Sequence, residues 1–225
     1  MKMIKLVVFD IAGTTVNENN VVYKTLRKAI NKAGYNFSLE TVLEHGAGKE
    51  KHQAIKDIIA LENNKNGDEE SLSIFNVFSN LLKMKYADLK VRTYPNTEEV
   101  FEKLKENDIK IVLNTGYDKK TARSLLSKLK WEKGKHYDEL ITASDVENSR
   151  PAPDMINLAM DFFDIKDSKK VVKVGDSIID IEEGKAANCG ITIGVTTGAH
   201  TKEQLQSAQP TYIIDNLSEL IQKIL

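Results

Sequence analysis

The stretch that most restricts what this chain can become is Ile4 to Val16, IKLVVFDIAGTTV. Leu6, Val7, Val8 and Phe9 follow one another without a polar break, and the run stops at Asp10 before a Gly13-Thr14-Thr15 turn. Such a run has no polar face to turn to solvent, so it predicts a strand buried on both sides, as in a parallel sheet. A carboxylate where that strand ends stands at the mouth of the sheet, where α/β folds collect ligands. By itself Asp10 reads equally well as a cap on whatever follows.

After Thr15 the period changes. Tyr23, Leu26, Ala29, Ile30 and Ala33 recur at helical spacing, and Gly34 stops that helix. A second helix is predicted from about Ser38 to the glycine-flanked break His45-Gly46-Ala47-Gly48. A third runs from Lys49 through Ala54, Ile55, Ile58 and Ile59. Residues 62–70, ENNKNGDEE, read as an exposed connection, and Leu72 to Leu89 as a fourth helix. No strand pattern interrupts Val22 to Val91. From Thr97 onward strands and helices alternate: strands at Ile109–Leu113, Glu139–Thr142, Lys170–Val174, Ile191–Val195 and Tyr212–Ile214. Alternation of this kind gives a parallel sheet with right-handed crossovers. The expected architecture is an α/β core, residues 1–16 and 92–225, with a doubly wound, Rossmann-like parallel sheet. Residues 17–91 form an inserted α-helical cap.

Charge narrows the partners. The formal net charge of -1 leaves no clustered basic surface for nucleic acid or an anionic membrane. The single cysteine, Cys189, cannot form an internal disulfide and suits a reducing compartment, and the N-terminal run is too short for a membrane span. The expectation is a cytoplasmic protein, monomer or homodimer, acting on a small molecule.

The strand ends supply the chemistry. Asp10, Thr115, Arg150 on the loop after its strand, and Asp176 each lie at a carboxyl end, and Asp180 follows Asp176 by four residues in GDSIID. Three carboxylates would repel one another unless a divalent cation joined them, and hard oxygen donors with waters suit Mg²⁺. A hydroxyl at Thr115 and a cation at Arg150 are what the equatorial oxygens of a phosphoryl group need. Asp10 is then the nucleophile of an aspartyl-phosphate mechanism. Each element alone reads as a turn or a solvated charge; their conjunction is the signal.

FDIAGTTV, VLNTGY, SRPAPD and VGDSIID together resemble the haloacid dehalogenase superfamily, over nearly the whole chain. AGTTV, TGY and the GAH at Gly198 to His200 are similar to its phosphonatase-like branch. The resemblance implies metal ligation by Asp10, the Ala12 carbonyl, Asp176 and Asp180, and substrate contacts at Thr14, Gly46, Gly116 and Tyr117. Ala12 stands where superfamily phosphatases carry an acid–base aspartate, a loss of about 10²–10⁴ in rate for a poor leaving group. Phosphonatases avoid that need with a cap lysine that forms a Schiff base, so the leaving group departs as an enamine. The family's cap loop places a glycine three before that lysine and a histidine three after, which selects Gly46, Lys49 and His52, with His52 as a proton shuttle. The chain departs from the branch at His45, Asn20 and Asn17, where phosphonatases have methionine, cysteine and aspartate. A phosphonate hydrolase, a small-molecule phosphatase without Schiff-base chemistry and a non-catalytic phosphate-binding module therefore all stay open.

Overall fold

The structure, a computed structural model, describes residues 3–62 and 68–225. Strand β1 (Leu6–Asp10) is followed by the two-residue β2 (Val16–Asn17) and by helices α1 (Val21–Lys32), α2 (Leu39–Gly46), α3 (Lys51–Ile59) and α4 (Asp68–Ala87). The chain returns through β3 (Arg92–Thr93) to α5 (Thr97–Glu106), β4 (Lys110–Thr115), α6 (Lys119–Lys128) and β5 (Glu139–Thr142). Then come α7 (Asp154–Phe162), β6 (Val171–Gly175), α8 (Ile178–Ala186), β7 (Ile191–Val195), α9 (Lys202–Ser207), β8 (Tyr212–Ile214) and α10 (Leu220–Ile224).

Six strands form one sheet in the order β5-β4-β1-β6-β7-β8, and each pairing is parallel. All five residues of β1 are buried, as its unbroken apolar run requires. Odd and even positions of β1 serve opposite faces. Val7 and Phe9 pack with Val100, Phe101 and Leu104 of α5, whereas Leu6 and Val8 pack with Met155, Ile156 and Ala159 of α7. The chain winds outward from β1 through β4 to β5, then crosses to β6 and winds the other way. Asp10 thus ends the strand beside the point where the winding reverses, the usual ligand crevice of an open parallel sheet.

Helices α1 to α4 carry their own apolar cluster, built on Leu26, Ile30, Ile55, Ile58, Ile74 and Phe78. Two core residues, Tyr117 and Leu125, complete it. Burying one such side chain contributes about 1.5–3 kcal/mol, so Ile55→Ala, at a fully buried site, would loosen the insertion by about 2–5 kcal/mol. The insertion leaves and rejoins the core through one antiparallel ribbon, in which Val16 pairs with Thr93 and Asn17 with Arg92. A two-residue ribbon is too short to show a period in the sequence.

Two helix starts differ from the sequence reading. Helix α3 begins at Lys51 because the Glu50 carboxylate accepts hydrogen bonds from the His52 and Gln53 amides, both at 2.9 Å. Lys49 is left in the loop before it. Helix α4 begins at Asp68, with Asp68, Glu69 and Glu70 forming the acidic first turn that the helix dipole favours. Residues 63–67 of the expected connection lie outside the described residues. Among the described residues, no helix is long and apolar enough to cross a membrane.

Candidate active site

Asp10 and Thr115, the last residues of β1 and β4, line one small space with Arg150 and Asp176 from two loops and with Ala12, Gly116 and Tyr117. The insertion contributes Tyr23, Gly48 and Lys51 to the same wall. Arg150 is fully enclosed and holds the pocket floor. Its Nη2 donates to Asp10 Oδ1 at 2.8 Å and to Asn114 Oδ1 at 3.2 Å, and its Nη1 donates to Asp180 Oδ1 at 2.8 Å. Burial works against its charge, but Asp180, Asp10 and Glu183 outweigh burial and keep it protonated.

Asp180, expected as a metal ligand, is not among the residues lining this pocket. Its Oδ2 accepts from the Ser177 hydroxyl at 2.6 Å, closing a capping box on α8, and its Oδ1 lies 2.9 Å from Lys173 Nζ. Burial would raise its pKa, yet Lys173 and Arg150 hold it at about 2. With its acceptor sites taken by the protein, it buttresses Arg150.

Asp176 is the carboxylate that faces Asp10. Its Oδ2 accepts from the Ala199 amide at 2.6 Å and its Oδ1 from the Thr14 hydroxyl at 3.2 Å. Thr14 is therefore committed to Asp176 through its side chain. Burial pushes the Asp176 pKa well up, and the charges of Asp10 and Asp180 add to it. Burial also pushes Asp10 up, to about 6, with Arg150 opposing.

The charges around this pair test whether a divalent cation fits. Four buried carboxylates, Asp10, Asp176, Asp180 and Glu183, share two buried ion-pair partners, Arg150 and Lys173, and a third buried cation, Lys51, lies in the pocket wall. The acids still outnumber the cations, and burial with mutual repulsion leaves the ionised forms of Asp10 and Asp176 the least compensated. Among the described residues no three His, Cys, Asp or Glu side chains converge as a cage. Two carboxylates plus backbone carbonyl, water and phosphate oxygens are the donor set that Mg²⁺ accepts. The residues fit that ion.

The lysine in the pocket is Lys51, not Lys49. Lys49 Nζ lies on Asp57 Oδ2 at 2.5 Å, within the insertion. Lys51 is buried, its Nζ 5.2 Å from the centre of the Tyr23 ring and 5.3 Å from that of Tyr117, and it donates to the Lys49 carbonyl. Burial lowers its pKa to about 8, although Glu50 pulls the other way. Gly46 packs on Ile58 inside the insertion, where an added Cβ would sit 3.2 Å from Ile58 Cδ1; it is Gly48, at φ 77°, that lines the pocket. His52 Nε2 is 3.0 Å from Ser71 Oγ, between α3 and α4 and away from the pocket lining.

A signal for Lys51 was present. In this loop glycine three before lysine occurs twice, at Gly46–Lys49 and again at Gly48–Lys51. Only Lys51 continues the buried stripe Ala54, Ile55, Ile58, Ile59 backwards at helical spacing. Asn114, Lys173 and Glu183 were missed as well. A lysine amid the apolar run of β6 cannot reach solvent and has to meet buried acids; here Lys173 Nζ lies 2.9 Å from Glu183 Oε2 and 2.6 Å from Asn114 Oδ1. Glu18, at the root of the insertion, is pushed up to about 7 by burial.

A family model described as haloacid dehalogenase-like hydrolase matches residues 7–195. The chain belongs to the haloacid dehalogenase-like hydrolases. This hydrolase is 30% identical to a phosphonoacetaldehyde hydrolase of Latilactobacillus sakei, over 98% of the chain and 94% of that protein. It is 26% identical to the pyrophosphatase PpaX of Bacillus mycoides, over 97% and 95%. A phosphonoacetaldehyde hydrolase-like protein of Oleispira antarctica superposes with a TM-score of 0.83 at 22% identity, covering 98% of this chain and 92% of that one, a match of fold. The hydrolase is thus a phosphohydrolase of this family with a mainly parallel core sheet.

Proposed function

We propose that this hydrolase cleaves the carbon–phosphorus bond of a small 2-oxo phosphonate, with Asp10 as nucleophile and Lys51 as the amine that activates the carbonyl. The observation that carries the reading is a buried lysine, with its pKa drawn down to about 8, in the same pocket as a buried nucleophilic aspartate. The similarity to phosphonoacetaldehyde hydrolases points the same way.

Lys51 condenses with the substrate carbonyl, and the protonated imine becomes the electron sink when phosphorus leaves carbon. Asp10 attacks phosphorus, and Arg150 orients its carboxylate through Oδ1. The Thr115 hydroxyl and the loop through Gly116 bound the space where the phosphoryl oxygens would sit. Asp10, Asp176 and the Ala12 carbonyl would hold Mg²⁺, which screens the negative nucleophile from the negative phosphoryl group. Ala12 has no proton to give, and an enamine leaving group needs none at departure. Lys49 and His52 have no chemical step in this reading, and the insertion serves as a cap that excludes water.

The test is release of phosphate and acetaldehyde from phosphonoacetaldehyde with Mg²⁺ present. Borohydride added with substrate should inactivate the enzyme and place the reduced adduct on Lys51. Lys51→Arg should lower kcat by about 10³ or more, and Lys49→Ala by less than about tenfold. Phosphate released from esters or pyrophosphate with full activity in Lys51→Arg would assign a phosphatase instead.

A further inference from the structure

Beyond the Asp10 pocket, a cavity of about 550 Å³ opens between α4 and α6. It shares Lys51, Gly116 and Tyr117 with the Asp10 pocket, but Asp10, Thr115, Arg150 and Asp176 do not line it. Lys51 and Tyr117 therefore stand as the partition between a phosphoryl side and a second chamber. The phosphoryl side leaves about 10 Å³ of free space, and the second chamber falls in the size range of metabolite pockets.

The chamber is built for a chain with a charged end. Phe78 and Leu82 give it an apolar wall. Tyr86 and Tyr117 also line the chamber, and their hydroxyls are buried beside each other with no third hydrogen-bond partner. Two hydroxyls paired with each other use only one of their two O–H donors, and a ligand acceptor would take the other. At the mouth stand Lys83 and Lys120, both exposed and, among the described residues, without an ion-pair partner. The two acids in the wall are occupied: Glu50 caps α3, and Asp118 caps α6 through the Thr121 amide at 2.9 Å.

We infer that the substrate is a 2-oxoalkylphosphonate whose carbonyl carries a short carbon tail ending in a carboxylate. The tail passes the Lys51–Tyr117 partition, and the carboxylate meets the two tyrosine hydroxyls under the field of Lys83 and Lys120. This rests on the proposed Schiff-base reading, because the carbonyl carbon bonded to Lys51 is the point from which a tail would enter the chamber. An aldehyde has only hydrogen there and would leave the chamber unused. The chemistry balances without a further reagent. The Lys51 amine displaces water from the carbonyl, and an Asp10 oxygen bonds to phosphorus as the carbon–phosphorus electron pair forms the enamine. The enamine carbon takes a proton, one water hydrolyses the imine to release a methyl ketone, and another opens the aspartyl-phosphate to phosphate.

Three substrates decide the matter: phosphonoacetaldehyde, 2-oxopentylphosphonate and 4-oxo-5-phosphonopentanoate, the last two differing by a methyl against a carboxylate at the tail end. The expected result is a kcat/KM at least about tenfold higher for the carboxylate than for its methyl counterpart, the scale of two favourable exposed charges with added hydrogen bonds. In Lys83→Glu/Lys120→Glu that ratio should fall about tenfold, and in Tyr86→Phe it should fall severalfold. Turnover of phosphonoacetaldehyde with a borohydride adduct on Lys51, but no preference for the carboxylate tail in the wild-type enzyme, overturns the inference and leaves the Schiff-base reading standing. No phosphate and no Lys51 adduct from any of the three overturns both. The wild-type comparison does not depend on any variant folding.

Discussion

At Asp176 two loops that are far apart in the chain close on one carboxyl group. A Cβ on Gly13 would lie 2.2 Å from its Oδ2, and a Cβ on Gly198 would lie 1.9 Å from it. Both glycines are needed for the carboxylate to keep its direction toward Asp10. Gly198→Ala should turn Asp176 aside and weaken Mg²⁺ binding by about tenfold or more, read from the Mg²⁺ dependence of activity and of Tm, while the fold persists. Lys51 sets the pH response. With its pKa lowered to about 8, the neutral amine is scarce below that pH and dominant above it. The log of kcat/KM for an oxo phosphonate should rise with a slope of about one as pH approaches 8, then level off. A pH profile of the wild-type enzyme checks this, and a phosphate ester turned over by the same site would not show that limb.

At the scale of elements, the contact between loop and insertion is backbone on backbone. Gly116, after β4, faces the Gly48 and Lys49 carbonyls; a Cβ there would stand 2.7 Å from the first and 2.9 Å from the second. Neither carbonyl can swing away without moving α3, so Gly116→Ala should hold the insertion off the core. The expected outcome is a kcat/KM lowered by about 10² with little change in Tm, measured by steady-state kinetics and thermal melts. The same region shows how much the sequence could tell. β1, β4 and β6 were readable because strands buried on both faces are mainly apolar, buried Asn114 and Lys173 apart, and their polar ends marked Asp10, Thr115 and Asp176. The entry of α3 was not readable to within two residues, since Lys49 and Lys51 both follow a glycine by three. The choice lay in the Glu50 cap, which starts the helix at Lys51 and so turns that side chain inward. The partners of Asp180 were hidden for a related reason. Helical spacing puts it near Asp176, but spacing does not show that its carboxyl is engaged by the Ser177 capping box, by buried Lys173 and by Arg150.

Across the whole molecule, the insertion starts and finishes at neighbouring points. Val16 faces Thr93 and Asn17 faces Arg92 in the ribbon, so the two crossings are hydrogen-bonded to each other and not scattered along the sheet. Among the described residues, the core strands meet no other part of residues 18–91 in the sheet ladder. That makes the protein separable at one seam. Joining Asn17 to Arg92 with a two-residue Asn-Gly turn would convert the ribbon into an ordinary hairpin. Such a shortened chain should unfold in one cooperative transition and keep the Mg²⁺-dependent rise in Tm, because Asp10 and Asp176 both remain. It would lose Lys51, and with it any covalent capture of a carbonyl, while Tyr117 and Leu125 would be newly wetted. In the proposed reading the seam parts phosphoryl handling from carbonyl capture, and a different helical cassette spliced at the same two residues should redirect the core to other substrates.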